Sequence, residues 1–562
     1  MSTLDWGVLI GTIAFIVLYG VWKTRKTQHM SGYLRADNTE RWWMMGLSVM
    51  ATQASAITFL STPGQAFDDG MRFIQFYFGL PLAMVVLSVT AIPLYYRLKV
   101  YTAYEYLESR FDLKTRSLAA MLFLLQRGLS TGITIYAPAI ILSAILGWNL
   151  TATILFIGVV VTFYTVVGGT KAVSQTQRLQ MAVMLGGMLV AAIVVVRLLP
   201  NGIGFSEAME VAGQAGKLNL VDLSFNPSDR YNLWSGLIGG FFLSLSYFGT
   251  DQSQVGRYLG GETIAQSRLG LLMNGLVKVP MQFLILLVGV LVFVFYQFYA
   301  PPLYFNQQQA ANVLASDKAP EWQHLETENQ RVFQQKKTAS LALVQAHQAG
   351  DEEAEEEAAA LMNQAEEKRK ELRANAQKLV KNYNQGTDLK DTDYVFLTFV
   401  TQQLPNGLVG LLLAVVLCAA MGSTASAFNS LASTTVVDVY KRSLYPKASD
   451  DHYVQASRWF TVGWGAVSIL FALFASQLEN LIQAVNILGS LFYGTILGVF
   501  IAAFYFRRLT GSAVFWAAII TQFIIFLLYF TTQIAYLWYN LIGVALVVGI
   551  GFMLVPLLPK RG

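Results

Sequence analysis

Residues 51–64 read Ala51-Thr52-Gln53-Ala54-Ser55-Ala56-Ile57-Thr58-Phe59-Leu60-Ser61-Thr62-Pro63-Gly64, a small and polar run inside an apolar stretch at 43–67. The anomaly recurs as Leu243-Ser244-Leu245-Ser246-Tyr247-Phe248-Gly249-Thr250-Asp251-Gln252, at the end of an apolar stretch at 232–250. Backbone groups freed inside hydrocarbon need partners, so such an interruption is costly unless it lines a cavity. For one stretch alone, tight helix packing through small residues would explain the composition. Two in matching positions point instead to broken helices around a midplane binding site. The pair stand five apolar segments apart, each at the start of a block of five. The pattern therefore predicts a five-plus-five inverted repeat, with one helix before it and two after.

Working outward, the whole chain reads as a membrane protein. Its 562 residues are 54% hydrophobic and 13% charged, with a mean hydropathy of +0.47; ordinary soluble domains carry about 25% charged residues. A membrane helix needs about 20 apolar residues. On that measure the chain is an all-α polytopic membrane protein with about thirteen transmembrane helices. They fall near 6–22, 43–67, 73–97, 115–146, 149–167, 170–199, 232–250, 267–299, 406–439, 456–477, 480–506, 512–530 and 534–558. The first has no basic region before it and is followed by Lys23, Arg25 and Lys26, so it reads as a retained span rather than a cleaved leader.

Alternate loops are basic. Arg35 adds to the first, Arg97, Lys99, Arg110, Lys114 and Arg116 follow the third helix, and Lys171 and Arg178 the fifth. Arg257 and Arg268 follow the seventh, Lys441, Arg442, Lys447 and Arg458 the ninth, Arg507 and Arg508 the eleventh, and Lys560 and Arg561 end the chain. The positive-inside rule then sets the N-terminus outside and the C-terminus inside a plasma membrane. These loops account for the formal net charge of +5, which gives no reason to expect nucleic acid as a partner. The partners implied are the lipid bilayer and a small-molecule solute. Residues 300–395 interrupt the pattern: they are polar, with Leu361, Ala365, Leu372, Ala376, Leu379 and Tyr383 at helical spacing and a turn at Gly350-Asp351. A helical hairpin outside the membrane is expected, either a solvated loop or a lid or protein-docking element. The organisation is 1–42 first helix and loop, 43–200 first repeat, 201–299 start of the second, 300–395 insert, 396–506 rest of the second repeat, and 507–562 two last helices.

A third polar run, Ala419-Ala420-Met421-Gly422-Ser423-Thr424-Ala425-Ser426-Ala427-Phe428-Asn429-Ser430, lies in the ninth helix. Its hydroxyls, set against unwound carbonyls, would make a neutral oxygen cage suited to a monovalent cation; they could equally bond back to their own helix. Two ionisable residues, Arg127 and Lys278, fall well inside spans, where an unpaired charge is costly and a functional role is the default reading. Arg127 could clamp a solute carboxylate, hold backbone carbonyls, or reach water. Asp251, Arg257 and Asp438 stand at helix ends as structural pairs or gate charges. Cys418 is the single cysteine and all four histidines lie outside the apolar segments, so neither a disulfide nor a membrane metalloenzyme is expected.

Four runs together, ATQASAITFL from 51, GGTKAVSQTQRLQ at 168–180, YFGTDQSQVGRYL at 247–259 and SAFNSLASTTVVDVYKR at 426–442, resemble the signatures of the sodium:solute symporter family, in order and register. The resemblance implies a LeuT-type fold, a sodium ion as cofactor, and sodium-driven import of a sugar, acidic sugar, carboxylate or similar solute. It places sodium on the carbonyls of Ala51 and Ala54, with Ala419, Ser423 and either Gly422 or Thr424. Where some members hold a second sodium near an aspartate, this chain has Gln177, and Ala425 stands at a usual serine, so one sodium per cycle is implied. Implied solute contacts are Gln53, Ser55, Thr58, Phe76, Tyr77, Ser244, Lys278 and Asn486, with Tyr247 as a stacking inner gate. Ile57 and Thr58 replace the polar pair that sugar carriers use, which counts against a simple hexose. The rival readings are a solute sensor or a proton-coupled carrier on the same fold. The chain's end at Gly562, right after its last helix, leaves the signalling domain usual in such sensors unaccounted for. A passive channel would need a continuous polar pore.

Overall fold

The computed structural model describes residues 1–24, 40–383, 391–475 and 481–558, without the side chains of 20–24, 145–146 and 168–172. Among these residues every named element is helical, and the one β contact is an isolated bridge between Glu40 and Gly261. Nine stretches among the described residues are long and apolar enough to cross a bilayer, and Ser235–Gly249 and Trp538–Leu554 are shorter apolar helices.

The chain opens with Thr3–Thr24 (α1), then Trp42–Gln53 (α2) and Ala56–Asp69 (α3), which are two halves of one interrupted helix. A 3-10 turn at Gly70–Tyr77 leads into Leu80–Val89 (α4) and Ala91–Leu98 (α5), followed by Glu105–Arg110 (α6), Leu113–Leu146 (α7) and Leu150–Arg197 (α8). Phe205–Gln214 (α9) links the blocks. A π-helical turn at Ser235–Gly239 begins the second interrupted helix, Gly240–Gly249 (α10) and Gln252–Tyr258 (α11), followed by Ile264–Phe298 (α12). The polar insert holds Gln307–Leu314 (α13), Ala319–Ala349 (α14), Glu352–Tyr383 (α15) and Thr392–Gln403 (α16). Leu408–Thr434 (α17), Asp450–Phe474 (α18), Leu481–Tyr505 (α19), Gly511–Thr531 (α20) and Trp538–Leu554 (α21) complete the fold.

Helix starts are chemically marked. Asp112, Asn149, Thr263, Ser449 and Thr510 each accept a bond from the backbone N–H three residues on, satisfying an end amide that a neighbouring helix turn cannot. Three expected spans look different. The one near 73–97 begins as a 3-10 turn and bends at Thr90. Helical backbone runs without a break from Leu150 to Arg197, through the loop expected between two spans. Hydropathy windows detect apolar runs, not the hydrogen bonds that carry a helix past their ends. The third difference is at 406–439, whose last turns widen to π geometry over Thr435–Leu444.

Small residues let backbones meet. A Cβ on Gly79, Gly236 or Gly240 would collide with main chain, so the 75–79 segment lies directly on 236–241 and joins the two blocks at their broken helices. Asp5 accepts bonds from Gly407 (2.6 Å) and Gly410 (3.1 Å), fastening the start of α1 to the start of α17 beside the insert. The first helix and the insert therefore share one face. On another, Arg116 pairs with Asp438 and Glu108, both at 2.8 Å, and Arg442 with Glu108 at 2.6 Å. Of the residues behind the expected orientation, Arg25, Lys26, Arg35, Lys560 and Arg561 lie outside the described residues, as do the side chains of Lys23 and Lys171.

The insert is a packed body. Its helices α14 and α15 form a hairpin turning on Gly350, which adopts the left-handed φ of 70° such a turn needs. Burial alone would raise the Glu366 carboxyl, but Arg369 (3.0 Å) and Lys336 (3.1 Å) hold it well below the carboxylate range. Burial brings Lys336 down to about 8. Arg373 bridges Asp391 (2.5 Å) and Asp68 (2.8 Å), so the hairpin grips the end of α3. Residues 384–390 of the insert lie outside the described residues.

Candidate functional site

At the first break, Ala54 (ψ 84°) and the extended Ser55 interrupt the helix, and neither half has a side-chain cap. The Ser55 N–H donates to Gln53 O and the Thr58 N–H to Ser55 O, both at 3.0 Å. A continuous helix would have spent those two amides on the carbonyls of Ala51 and Ala54. Both carbonyls are released, and no described group donates to either. They are buried: Ala51 is 1% exposed and Ala54 0%. A buried carbonyl without a donor is a cost unless something else, such as a cation, satisfies it.

The second break is built differently. Asp251 caps α11 by accepting from Ser253 N–H at 2.8 Å. Its freed carbonyls are taken by tyrosine hydroxyls: Tyr258 donates to Phe248 O (2.9 Å), Tyr95 to Gly249 O (2.9 Å) and Tyr104 to Thr250 O (2.8 Å). These tyrosines come from three separate segments, so no local pattern in the sequence marks them.

Helix α17 packs against both halves of the first broken helix, and Thr52 Oγ1 meets Ser426 Oγ at 3.2 Å, which sets the register between them. Ala419, Gly422, Ser423 and Ser426 share that face by helical spacing. Ser423 Oγ bonds back to Ala419 O at 2.9 Å, whereas Thr424 Oγ1 points to Thr134 on α7 at 3.2 Å. Beside this face lies a polar knot. Gln177 accepts from Ser48 Oγ (2.6 Å) and donates toward Ser426 Oγ (2.8 Å), Gly422 O (3.2 Å) and Thr52 Oγ1 (3.2 Å). Ser48 and Thr52 were not among the residues singled out from sequence, though their four-residue spacing on one helix face was the available signal.

The expected solute contacts fall on both halves of the first broken helix, the 3-10 turn, α10, α12 and α19. Thr58, Ser55, Phe76, Tyr77, Ser244 and Tyr247 are all buried, and Gln53 and Asn486 are half-buried. Phe76 packs edge-on to Tyr77 (4.9 Å between centroids) and parallel to Phe73 (5.5 Å). Lys278 is fully buried on α12; its Nζ lies 5.9 Å from the centre of the Tyr77 ring and has no hydrogen-bond partner among the described residues. Gln53 Oε1 is likewise unpartnered there. Arg127 differs: its guanidinium stands 3.7 Å from Asp251 and over the Tyr247 ring at 5.9 Å. Asp251 also accepts from Tyr493 Oη at 3.1 Å, and Gln254 donates to Tyr247 Oη at 2.7 Å. Arg127, Asp251, Tyr247, Gln254 and Tyr493 thus form one connected layer next to the second break.

Two broken helices around a buried polar centre define a multi-pass membrane transporter of the LeuT-type fold. The family model for the sodium:solute symporter family matches residues 33–319 and 373–521, and the chain belongs to that family, which comprises transporters rather than enzymes. The human sodium/iodide cotransporter is 36% identical over 252 residues, 45% of this chain and 39% of that one. The Xenopus laevis sodium-coupled monocarboxylate transporter 1 is 36% identical over 233 residues, 41% and 36% of the two chains. The rabbit sodium-dependent multivitamin transporter is 27% identical over 514 residues, 90% of this chain and 67% of that one. The matches to the first two therefore span well under half of those relatives' lengths. A solved Na+-coupled sialic acid symporter, substrate-bound and outward-open, superposes with a TM-score of 0.76 at 22% identity, covering 99% of this chain and 98% of that one, and shares its fold. The gap in the family match, 320–372, falls within α14 and α15.

Proposed function

We propose that this protein is a sodium-coupled symporter that imports a small polar, anionic solute by alternating access, with one sodium per cycle. The observation that carries the sodium reading is the pair of buried carbonyls, Ala51 O and Ala54 O, that the first break leaves without donors. Ala419 and Ser423 complete the cage from α17. The Thr52–Ser426 contact supports Gly422 rather than Thr424 as the neighbouring position, because Thr424 faces Thr134 on another helix. Gln177 supports a single ion. Its amide already donates into the oxygens of Gly422, Ser426 and Thr52, which a second cation would need. One sodium carried with a monovalent anion moves no net charge, so a tenfold sodium gradient, worth about 1.4 kcal/mol, concentrates such a solute about tenfold.

The solute class rests on Lys278. A fully buried ammonium with no described partner favours a solute that brings an anionic or strongly accepting group. Three relatives are named for cargo that is anionic: iodide, a monocarboxylate and a sialic acid. Arg127, already beside Asp251, serves as a gate charge in this reading. The first helix and the insert stand on the outer face, and the Arg116–Asp438–Glu108 cluster on the inner.

The test is thermal unfolding of the purified protein with and without sodium, against carboxylates, acidic sugars, neutral sugars and amino acids. Binding to the native state stabilises it by mass action. A shift requiring both sodium and an anionic solute, absent in Ser423→Ala, is expected. A sodium-independent shift would transfer the reading to a proton-coupled carrier or a sensor, and a response to neutral sugars alone would remove Lys278 from the solute site.

A further inference from the structure

A second group of ligands lies far along the chain from the broken helices, where the hairpin meets α9. His347, in the last turn of α14, Glu355, in the first turn of α15, and Glu210 on α9 place one ligand atom each within 4.8 Å of one another. His347 Nδ1 is 3.4 Å from Glu355 Oε2 and 3.8 Å from Glu210 Oε2. Those separations exceed the roughly 2.7–3.2 Å of a hydrogen bond. The 3.4 Å separation is that of two ligands on one ion, and the 3.8 Å one reaches it with a shift of a few tenths of an ångström. Nitrogen and oxygen ligands about 2.0–2.1 Å from a tetrahedral zinc stand roughly 3.3–3.5 Å apart.

The carboxylates are also oriented. Gln214 Nε2 donates to Glu210 Oε1 at 2.9 Å and to Glu355 Oε1 at 3.2 Å, holding the far oxygen of each so that the near oxygens converge on His347. Gln214 is itself tied down, since its carbonyl accepts from Asn363 Nδ2 at 3.0 Å. Outer partners of this kind fix ligand geometry in metal sites.

We infer that His347, Glu210 and Glu355 form a site for zinc, or a transition ion of similar preference, that staples the hairpin to α9. One imidazole with two carboxylates suits zinc, whereas calcium and magnesium favour all-oxygen sets with more ligands. Three protein ligands leave a fourth position for water, and the three side chains are 37%, 28% and 17% exposed, so the ion exchanges with solution. Two of its three ligands, His347 and Glu355, lie in the region that the family model leaves unmatched, and the site does not depend on the proposed transport cycle.

The experiment uses the full-length protein, stripped with a chelator and titrated with zinc chloride against a chromophoric competitor, with thermal unfolding recorded in parallel. One zinc per chain at micromolar concentration and a raised unfolding temperature are expected. His347→Ala and Glu355→Gln should each weaken binding at least tenfold, Gln214→Ala less, and His324→Ala, exposed on the same helix, not at all. Glu355→Gln keeps the shape of the side chain, so it decides the matter if His347→Ala proves unstable. Equal binding by wild type and both ligand variants, no zinc bound below millimolar, or equal competition from calcium would each overturn the site.

Discussion

The two broken helices begin alike in sequence and end in opposite chemistry. At 248–251 every freed carbonyl has a tyrosine hydroxyl, and Asp251 caps the following half-helix. At 51–55 there is no side-chain cap, and buried carbonyls, those of Ala51 and Ala54 among them, face no described donor. A break whose carbonyls are held by side chains of its own protein acts as a joint; one whose buried carbonyls lack donors is open to a ligand. The cost of burying an unpaired carbonyl is the same at both, about 1–3 kcal/mol. One break removes that cost permanently, and the other leaves it to the exchangeable ion proposed above.

Mutations at the two breaks should therefore separate stability from ion response. The largest effect is expected from Asp251→Ala, which removes the cap and leaves Arg127 buried without its carboxylate, a loss of about 3–5 kcal/mol. Chemical denaturation would measure it, while the sodium concentration giving half-maximal stabilisation should stay put. Should that concentration move as far as the stability does, the breaks are not separate devices. Tyr104→Phe removes a single hydroxyl from Thr250 O and should lower stability by about 1–3 kcal/mol, again without changing the sodium response. Ser423→Ala reverses the signature. The sodium midpoint should rise about tenfold or more, equivalent to about 1.4 kcal/mol, with stability in sodium-free buffer changed by no more than about 0.5 kcal/mol. The smallest and most pointed change is Gln177→Asp. Replacing the amide donor with a carboxylate should steepen the sodium dependence, raising the Hill coefficient above that of wild type. An unchanged coefficient would mean that Gln177 does not stand where a second ion would bind.

The insert adds a contrast of its own. In the membrane body the buried Lys278 side chain lacks a described partner, while in the hairpin Lys336, Arg369 and Arg373 are each paired with carboxylates. Full pairing suits a rigid support, and Arg373 delivers that rigidity to Asp68 at the end of α3. The unpaired Lys278 suits a site that waits for a counter-charge.

Much of this was legible before any coordinates. The polar runs at 51–64 and 243–252 located both breaks, because small and hydroxylic residues in an apolar span have few other uses. Gly350-Asp351 located the hairpin turn, since a left-handed residue is best supplied by glycine. Arg127 was legible as an unusual residue but not as a partner of Asp251, which lies 124 positions away in the chain. Likewise Ser48, Thr52 and Gln177 were readable as polar residues, not as a knot around Ser426.

The sequence by itself determined the membrane class, the helical architecture, the two breaks and the family, because these follow from hydropathy, local periodicity and motifs contained within short windows. Only the tertiary structure decided which break is open. That depends on whether Tyr95, Tyr104 and Tyr258 reach Gly249, Thr250 and Phe248, and on the absence of any such donor among the described residues near Ala51 and Ala54. Hydrogen bonds are made across space between groups whose separation along the chain carries no information about their contact, so the satisfaction of a carbonyl is a property of the folded molecule alone.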